Sequence, residues 1–71
     1  MVILVKNKLG DIRLKMGFRF QKEFAEYLGL SSWLYNRYEK NVVQPGAETL
    51  LLICKKTNLK IQDVIYEVPT I

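Results

Sequence analysis

Apolar residues recur along this chain at different spacings, and the spacing separates strand from helix. Val2-Ile3-Leu4-Val5 is an unbroken β-branched and aliphatic run, which predicts a short extended segment. From Lys8 the period changes: Leu9, Ile12 and Met16 fall at i, i+3 and i+7 with Asp11, Arg13 and Lys15 between them. That pattern predicts an amphipathic first helix, with Asn7 as a cap and Gly17 as its end. After the connection Phe18 to Phe20, Phe24, Ala25 and Leu28 share one face of a second helix that begins at Gln21 and closes at Gly29, where a left-handed residue suits the turn. Leu30 is the expected buried anchor of that turn, and Ser31 the N-cap of a third helix from Ser32 to Lys40. In the third helix Tyr35 and Tyr38 face inward, while Ser32, Trp33, Asn36 and Arg37 fall together on the other side.

Asn41 to Gly46 reads as a loop, because Pro45 pushes Gln44 out of helical geometry. A fourth helix follows from Ala47 to Thr57, with Leu50, Ile53, Cys54 and Thr57 on its core stripe, Leu51 widening that stripe and Leu52 off it. Asn58 is a left-handed C-cap and Leu59 an anchor; Ile61, Val64 and Ile65 then predict a last short helix ending near Tyr66. Pro69 forbids helix in the final segment, and Val68 and Thr70 favour an extended one. The elements amount to an all-α fold of five helices: an extended tail over residues 1–6, one domain over residues 7–66 and a second extended tail over residues 67–71.

Length and composition narrow what such a domain does. With 71 residues there is room for one small core. The absence of histidine removes the commonest general base and the commonest metal ligand. A lone Cys54 builds neither an intramolecular disulfide nor a zinc site, and inside the apolar run Leu50 to Cys54 it is expected to be a small buried hydrophobe. No glycine-rich phosphate loop and no acid/base or nucleophile constellation is present, so an enzyme, a cofactor and a metal are not expected. The apolar start is interrupted by Lys6, too short for a signal-peptide core or a membrane span, and a reducing, cytoplasmic setting is expected.

The formal charge of +4 is unevenly placed. Residues 1–22 carry Lys6, Lys8, Arg13, Lys15, Arg19 and Lys22 against the single acid Asp11, whereas the rest of the chain is close to neutral. A polyanion is a plausible partner for such a surface, although a solvated helix face accounts for the same charges.

Five short helices with a glycine turn between the second and third are the framework of a helix-turn-helix DNA reader. The segment QKEFAEYLGLSSWLYNRYE, Gln21 to Glu39, resembles the Cro/C1-type helix-turn-helix of the xenobiotic-response-element family: Gln21, Ala25, Gly29, Leu30, Ser31 and the pair Tyr38-Glu39 fill its pattern in register. PGAETLLLICKKTNLKIQDVIY is similar to that family's proline-led fourth helix and short fifth helix, so the resemblance runs from about Asn7 to Tyr66. It implies a lambda-repressor-like fold and sequence-specific binding of double-stranded DNA by a small, repressor-like transcriptional regulator, with the third helix in the major groove. At about 13 Å, that helix is short enough to enter a groove roughly 12 Å wide.

By the same resemblance, Ser32, Trp33, Asn36 and Arg37 face base edges. Arg37 suits guanine O6 and N7, Asn36 an adenine edge, Ser32 either, and Trp33 a thymine methyl or a sugar; the alternative for Trp33 is an anchor packed on the second helix or on the loop after the third. Gln21, Lys22, Ser31, Lys40, Asn41 and Gln44 are implied phosphate contacts, with Gln21 and Lys22 at a helix N-terminus. Arg13 and Glu39 occupy the places of a structural ion pair. Departures from the pattern are a connection before the second helix one residue longer than usual, Phe20 in place of a hydroxyl cap, and Tyr35 where Ile or Val is usual.

One such module reads too few bases to select an operator, so a homodimer is expected, with half-sites about 34 Å apart. The apolar terminal segments, with Leu52, are the candidate interface. The other reading pairs those segments within one chain as an antiparallel ribbon, and the two are compatible, since such a ribbon exposes an edge to a partner. The alternative function is a protein-interaction module, antitoxin-like or bridging, that binds through the tails and Trp33; tail deletion separates the two.

Overall fold

The computed structural model describes residues 2–70, and the side chains of residues 4–69, in the order β1 (Val2–Asn7), α1 (Leu9–Lys15), α2 (Gln21–Leu28), α3 (Ser32–Glu39), α4 (Ala47–Thr57), α5 (Ile61–Val64) and β2 (Ile65–Thr70). The expected ends of the tails at Met1 and Ile71 lie outside the described residues. Five helices form, but the fold is not all-α. β1 and β2 pair as an antiparallel hairpin in the register Leu4 opposite Val68, Lys6 opposite Tyr66 and Asn7 opposite Ile65. As far as they are described, the two tails are therefore the two strands of one element. The last helix also stops earlier than the apolar pattern implies: Ile65 is extended (φ −119°, ψ 157°) and starts the strand. Its β-branched side chain favours the pleated geometry that pairing with β1 offers.

The core is built from all five helices: Leu9 and Ile12 of α1, Phe24, Ala25 and Leu28 of α2, Tyr35 and Tyr38 of α3, Leu50 and Ile53 of α4, and Val64 of α5. Phe24 sits at its centre, edge-on to Tyr35 with centroids 5.5 Å apart and tilted against Phe18 at 5.1 Å. Such pairs add about 0.5–1.5 kcal/mol each beyond the area they bury. The buried Tyr35 phenol donates a long hydrogen bond to the Leu9 carbonyl at 3.4 Å. Burial, with the Glu39 carboxylate nearby, raises its pKa and keeps it protonated.

Two core assignments differ from the periodic reading. Met16 is exposed, because α1 ends at Lys15 and Gly17 takes φ 88°, turning the chain before a third apolar position reaches the core. Phe18 packs inward instead. Leu51 is 61% exposed. It lies one residue, about 100°, round the helix from Leu50, and α4 buries a narrower stripe than the pattern allows. Cys54 is half-buried against the core, and burial raises its thiol pKa, which keeps it protonated.

Asn7 joins the hairpin to the helices. It is 5% exposed, yet its polar groups are paired: its backbone N–H donates to Asn41 Oδ1 (2.8 Å), its Nδ2 to the Tyr38 carbonyl (2.7 Å) and to Gln44 Oε1 (2.7 Å), and its Oδ1 accepts from the Leu9 N–H (3.1 Å). It stands one residue before the N-cap of α1, which is Lys8. Asn41 takes the left-handed conformation (φ 61°), and its side-chain Oδ1 is the acceptor at this junction.

Candidate nucleic-acid interface

The turn between α2 and α3 sets the site. Gly29 closes α2 at φ 80°, ψ 27°, a conformation that would strain a side chain there, and Leu30 donates its N–H to the Ala25 carbonyl at 2.9 Å. Ala25, almost fully buried, leaves room for α3 to cross α2 closely. The chain re-enters a helix at once, because Ser31 Oγ accepts from the Leu34 N–H at 3.2 Å.

A bidentate ion pair braces the far end of α3. Arg13 Nε donates to Glu39 Oε2 at 3.1 Å and Nη2 to Oε1 at 3.0 Å, and the two side chains are only 12% and 13% exposed. Arg13 Nη1 also holds the carbonyls of Phe18 (3.1 Å) and Arg19 (2.6 Å), so one guanidinium fixes both α3 and the connection into α2. Gly10 makes room for the carboxylate: a Cβ at that position would sit 3.2 Å from Glu39 Oε1.

Burial by itself would raise the Glu39 pKa, but hydrogen bonds from Arg13, with Tyr35 and Gln21 adding to them, bring it below the ordinary glutamate value, and the same contact raises that of Arg13. A carboxyl with a depressed folded pKa contributes stability that is present above the unfolded value and is lost as pH falls through the folded one. Melting temperatures should therefore fall as pH drops below about 4.3, the ordinary glutamate value. In Glu39→Gln, which starts less stable, that decline should be shallower; equal slopes in the two proteins would show that Glu39 does not drive it.

The four residues of the outer face of α3 are not equivalent. Ser32 and Trp33 project into solvent, Trp33 being 70% exposed, so Trp33 is not an anchor packed on a neighbouring element. Arg37 lies one turn on, its guanidinium carbon 5.0 Å from the centroid of the indole. Asn36 is half-buried and donates from Nδ2 to Gln21 Oε1 at 2.8 Å. A residue on the reading face is thereby tied to the first residue of α2, and Asn36 keeps only part of its amide for an adenine edge.

The six residues placed against phosphate divide in the same way. Lys22, Ser31 and Lys40 are exposed. α2 begins at Gln21 after an extended Phe20 that provides no side-chain cap, which leaves first-turn N–H groups open to an acceptor from outside. Asn41 and Gln44 turn inward instead. Gln44 Nε2 donates to Asn41 Oδ1 (2.9 Å), and both amides serve the buried Asn7, Asn41 accepting from its backbone N–H and Gln44 from its side-chain amide. In the sequence Asn7 reads only as a cap; apart from Leu9, its partners lie 31 to 37 residues away, and no local signal marks them.

The helix-turn-helix family pattern matches residues 11–64, from the first turn of α1 to the last residue of α5. No curated protein matches the chain. Among the described residues, no helix is long and apolar enough to cross a membrane.

Proposed function

This chain belongs to the helix-turn-helix family, in its Cro/C1-type or xenobiotic-response-element branch, a family of DNA-binding transcription regulators that are not typically enzymes; from that premise we propose that it is a small, repressor-like regulator that binds double-stranded DNA at specific sequences. The observation that carries the reading is the outer face of α3: Ser32, Trp33 and Arg37 point away from the core on a helix held at one end by the Gly29 turn and at the other by the Arg13–Glu39 pair. A reading helix has to be rigid, since its side chains must arrive at base edges already oriented. Ser32, Trp33 and Arg37 read bases, and Asn36 does so with the part of its amide that Gln21 leaves available. Lys22, Lys40, Ser31 and the N-terminus of α2 with Gln21 hold phosphates. The basic residues of the first third of the chain add affinity that weakens with salt. Asn41 and Gln44 support the loop rather than clamp the backbone.

The test is selection from random-sequence duplexes, with binding to the enriched sequence then measured at two salt concentrations. An enriched motif and a steep salt dependence are expected. Retention of no motif, with binding indifferent to salt, contradicts the reading.

A second copy of the chain is the proposed partner for the hairpin end. Leu4, Val5, Ile61 and Tyr66 are exposed there around a groove of about 530 Å³ lined by Val5, Ile61, Gln62, Ile65, Tyr66 and Glu67. Among the described residues the sheet has only two strands, so neither outer edge has a strand partner there, and an unpaired edge favours pairing with a further strand. Sedimentation should give a dimer, and Val5→Lys together with Ile61→Glu should give a folded monomer with weakened binding to a two-half-site duplex. A wild-type monomer that retains full affinity for that duplex contradicts the dimer, and tail-dependent binding of a different protein by a DNA-competent monomer would favour an interaction module.

A further inference from the structure

Among the described residues, Trp33 is the most exposed large hydrophobic side chain, and its exposure calls for a physical reason. The reason on the page is Arg37. Residues four apart stand one above the other on a helix, and the Arg37 guanidinium lies over the indole face, 5.0 Å from the ring centroid. A cation held over an aromatic face is engaged by the ring and not through its hydrogens, so its five N–H donors remain for other partners. No carboxylate pairs with Arg37 among the described residues, in contrast to Arg13, whose fork is filled by Glu39. The stack also restricts two long side chains before any ligand arrives, so less freedom remains to be lost on binding.

Resting on the reading of α3 as the DNA-facing helix, we infer that Trp33 and Arg37 act as one unit that recognises a guanine together with a 5-methylpyrimidine in the adjacent base pair. The fork lies in the plane of the guanine edge and takes O6 and N7. Successive base pairs are about 3.4 Å apart along a strand. With its ring centroid 5.0 Å from the guanidinium carbon, the indole is within reach of the next pair. Indole brings one N–H donor and otherwise apolar surface, and the apolar feature that a major groove presents is the methyl group at C5 of thymine. 5-Methylcytosine carries the same methyl at the same place. The two contacts are coupled through the stack, so loss of the indole should weaken discrimination at the guanine as well as at the methyl.

The experiment uses the full chain and the sequence enriched from random duplexes, with affinities measured by fluorescence anisotropy. The enriched half-site should contain a guanine beside a thymine. Replacing that thymine by uracil, which removes only the methyl, should weaken wild-type binding about threefold to fourfold, the effect of one buried methyl-sized group. 5-Methylcytosine should be preferred over cytosine there by the same factor. Replacing the guanine by 7-deazaguanine should weaken binding roughly tenfold, within the range for a good bidentate contact.

In Trp33→Ala both methyl effects should vanish and the guanine effect should shrink, whereas Trp33→Phe should keep part of each. Because the side chain is exposed, neither substitution removes core packing. A half-site without this step, or a methyl effect undiminished in Trp33→Ala, overturns the inference and leaves sequence-specific binding standing. Enrichment of no sequence, with no binding to duplex DNA, overturns both.

Discussion

Replacing Arg13 with alanine is expected to destabilise the fold by about 3 kcal/mol, the low end of what breaking a buried ion pair costs. An exposed pair would account for at most about 1 kcal/mol. The pair is close to the buried case, because its side chains are 12% and 13% exposed and its geometry is bidentate. Removing the guanidinium leaves the Glu39 carboxylate desolvated and takes a donor away from the carbonyls of Phe18 and Arg19. A domain of this size has a total stability near the lower end of the usual 5–15 kcal/mol. A loss of about 3 kcal/mol should lower the melting temperature by more than about 10 °C. Arg13→Lys, which keeps the charge without the fork, should fall between the two. Denaturant titration checks the series, and a loss below about 1 kcal/mol for Arg13→Ala would mean that water already screens the pair.

The second large effect is on recognition. Arg37 lies outside the buried core, so Arg37→Ala should leave the melting curve nearly unchanged. Its cost should appear on DNA. One good bidentate contact to guanine discriminates by about 1–3 kcal/mol, and a dimer makes the contact twice, giving about 2–6 kcal/mol at the enriched site. Affinity for unrelated duplexes depends on the summed charge and should change far less. Arg37→Lys separates the two contributions, because lysine keeps the charge but loses the fork.

The α2–α3 unit was legible in the sequence because its determinants are local. Phe24, Ala25 and Leu28 share a face, Gly29 is the residue that adopts φ 80° without strain, and a hydroxyl caps α3; these are choices that one turn of chain imposes on the next. Cooperation between distant segments was less legible. The β-branched ends were readable as extended, but pairing within one chain and pairing with a second copy satisfy the same pattern; the fold shows the pairing within the chain, in a register that sets Asn7 opposite Ile65. Met16 continued the helical period in sequence, yet the Gly17 turn ends it in space and Phe18 takes the inward place.

The same division holds at the site. The periodicity of α3 put Ser32, Trp33, Asn36 and Arg37 on one face, but it carries no information about what each side chain meets. Asn36 finds Gln21 fifteen residues earlier in the chain, and Asn41 and Gln44 are drawn inward by the donors of a buried Asn7. Polar residues in a loop look alike in sequence whether they serve a ligand or a buried partner. Only the fold distinguishes those that must satisfy a desolvated group.

The most direct test of α3 as the reading element is the ratio of affinities for the enriched duplex and for a scrambled duplex of equal length, measured at one fixed salt concentration for wild type and Arg37→Ala. The expected wild-type ratio is at least about 10³, as for specific protein–DNA complexes. It should fall by roughly 30-fold or more in Arg37→Ala, the effect of losing about 2–6 kcal/mol, with affinity for the scrambled duplex almost preserved. A ratio that Arg37→Ala leaves unchanged would contradict the account, because sequence would then be read elsewhere on the molecule.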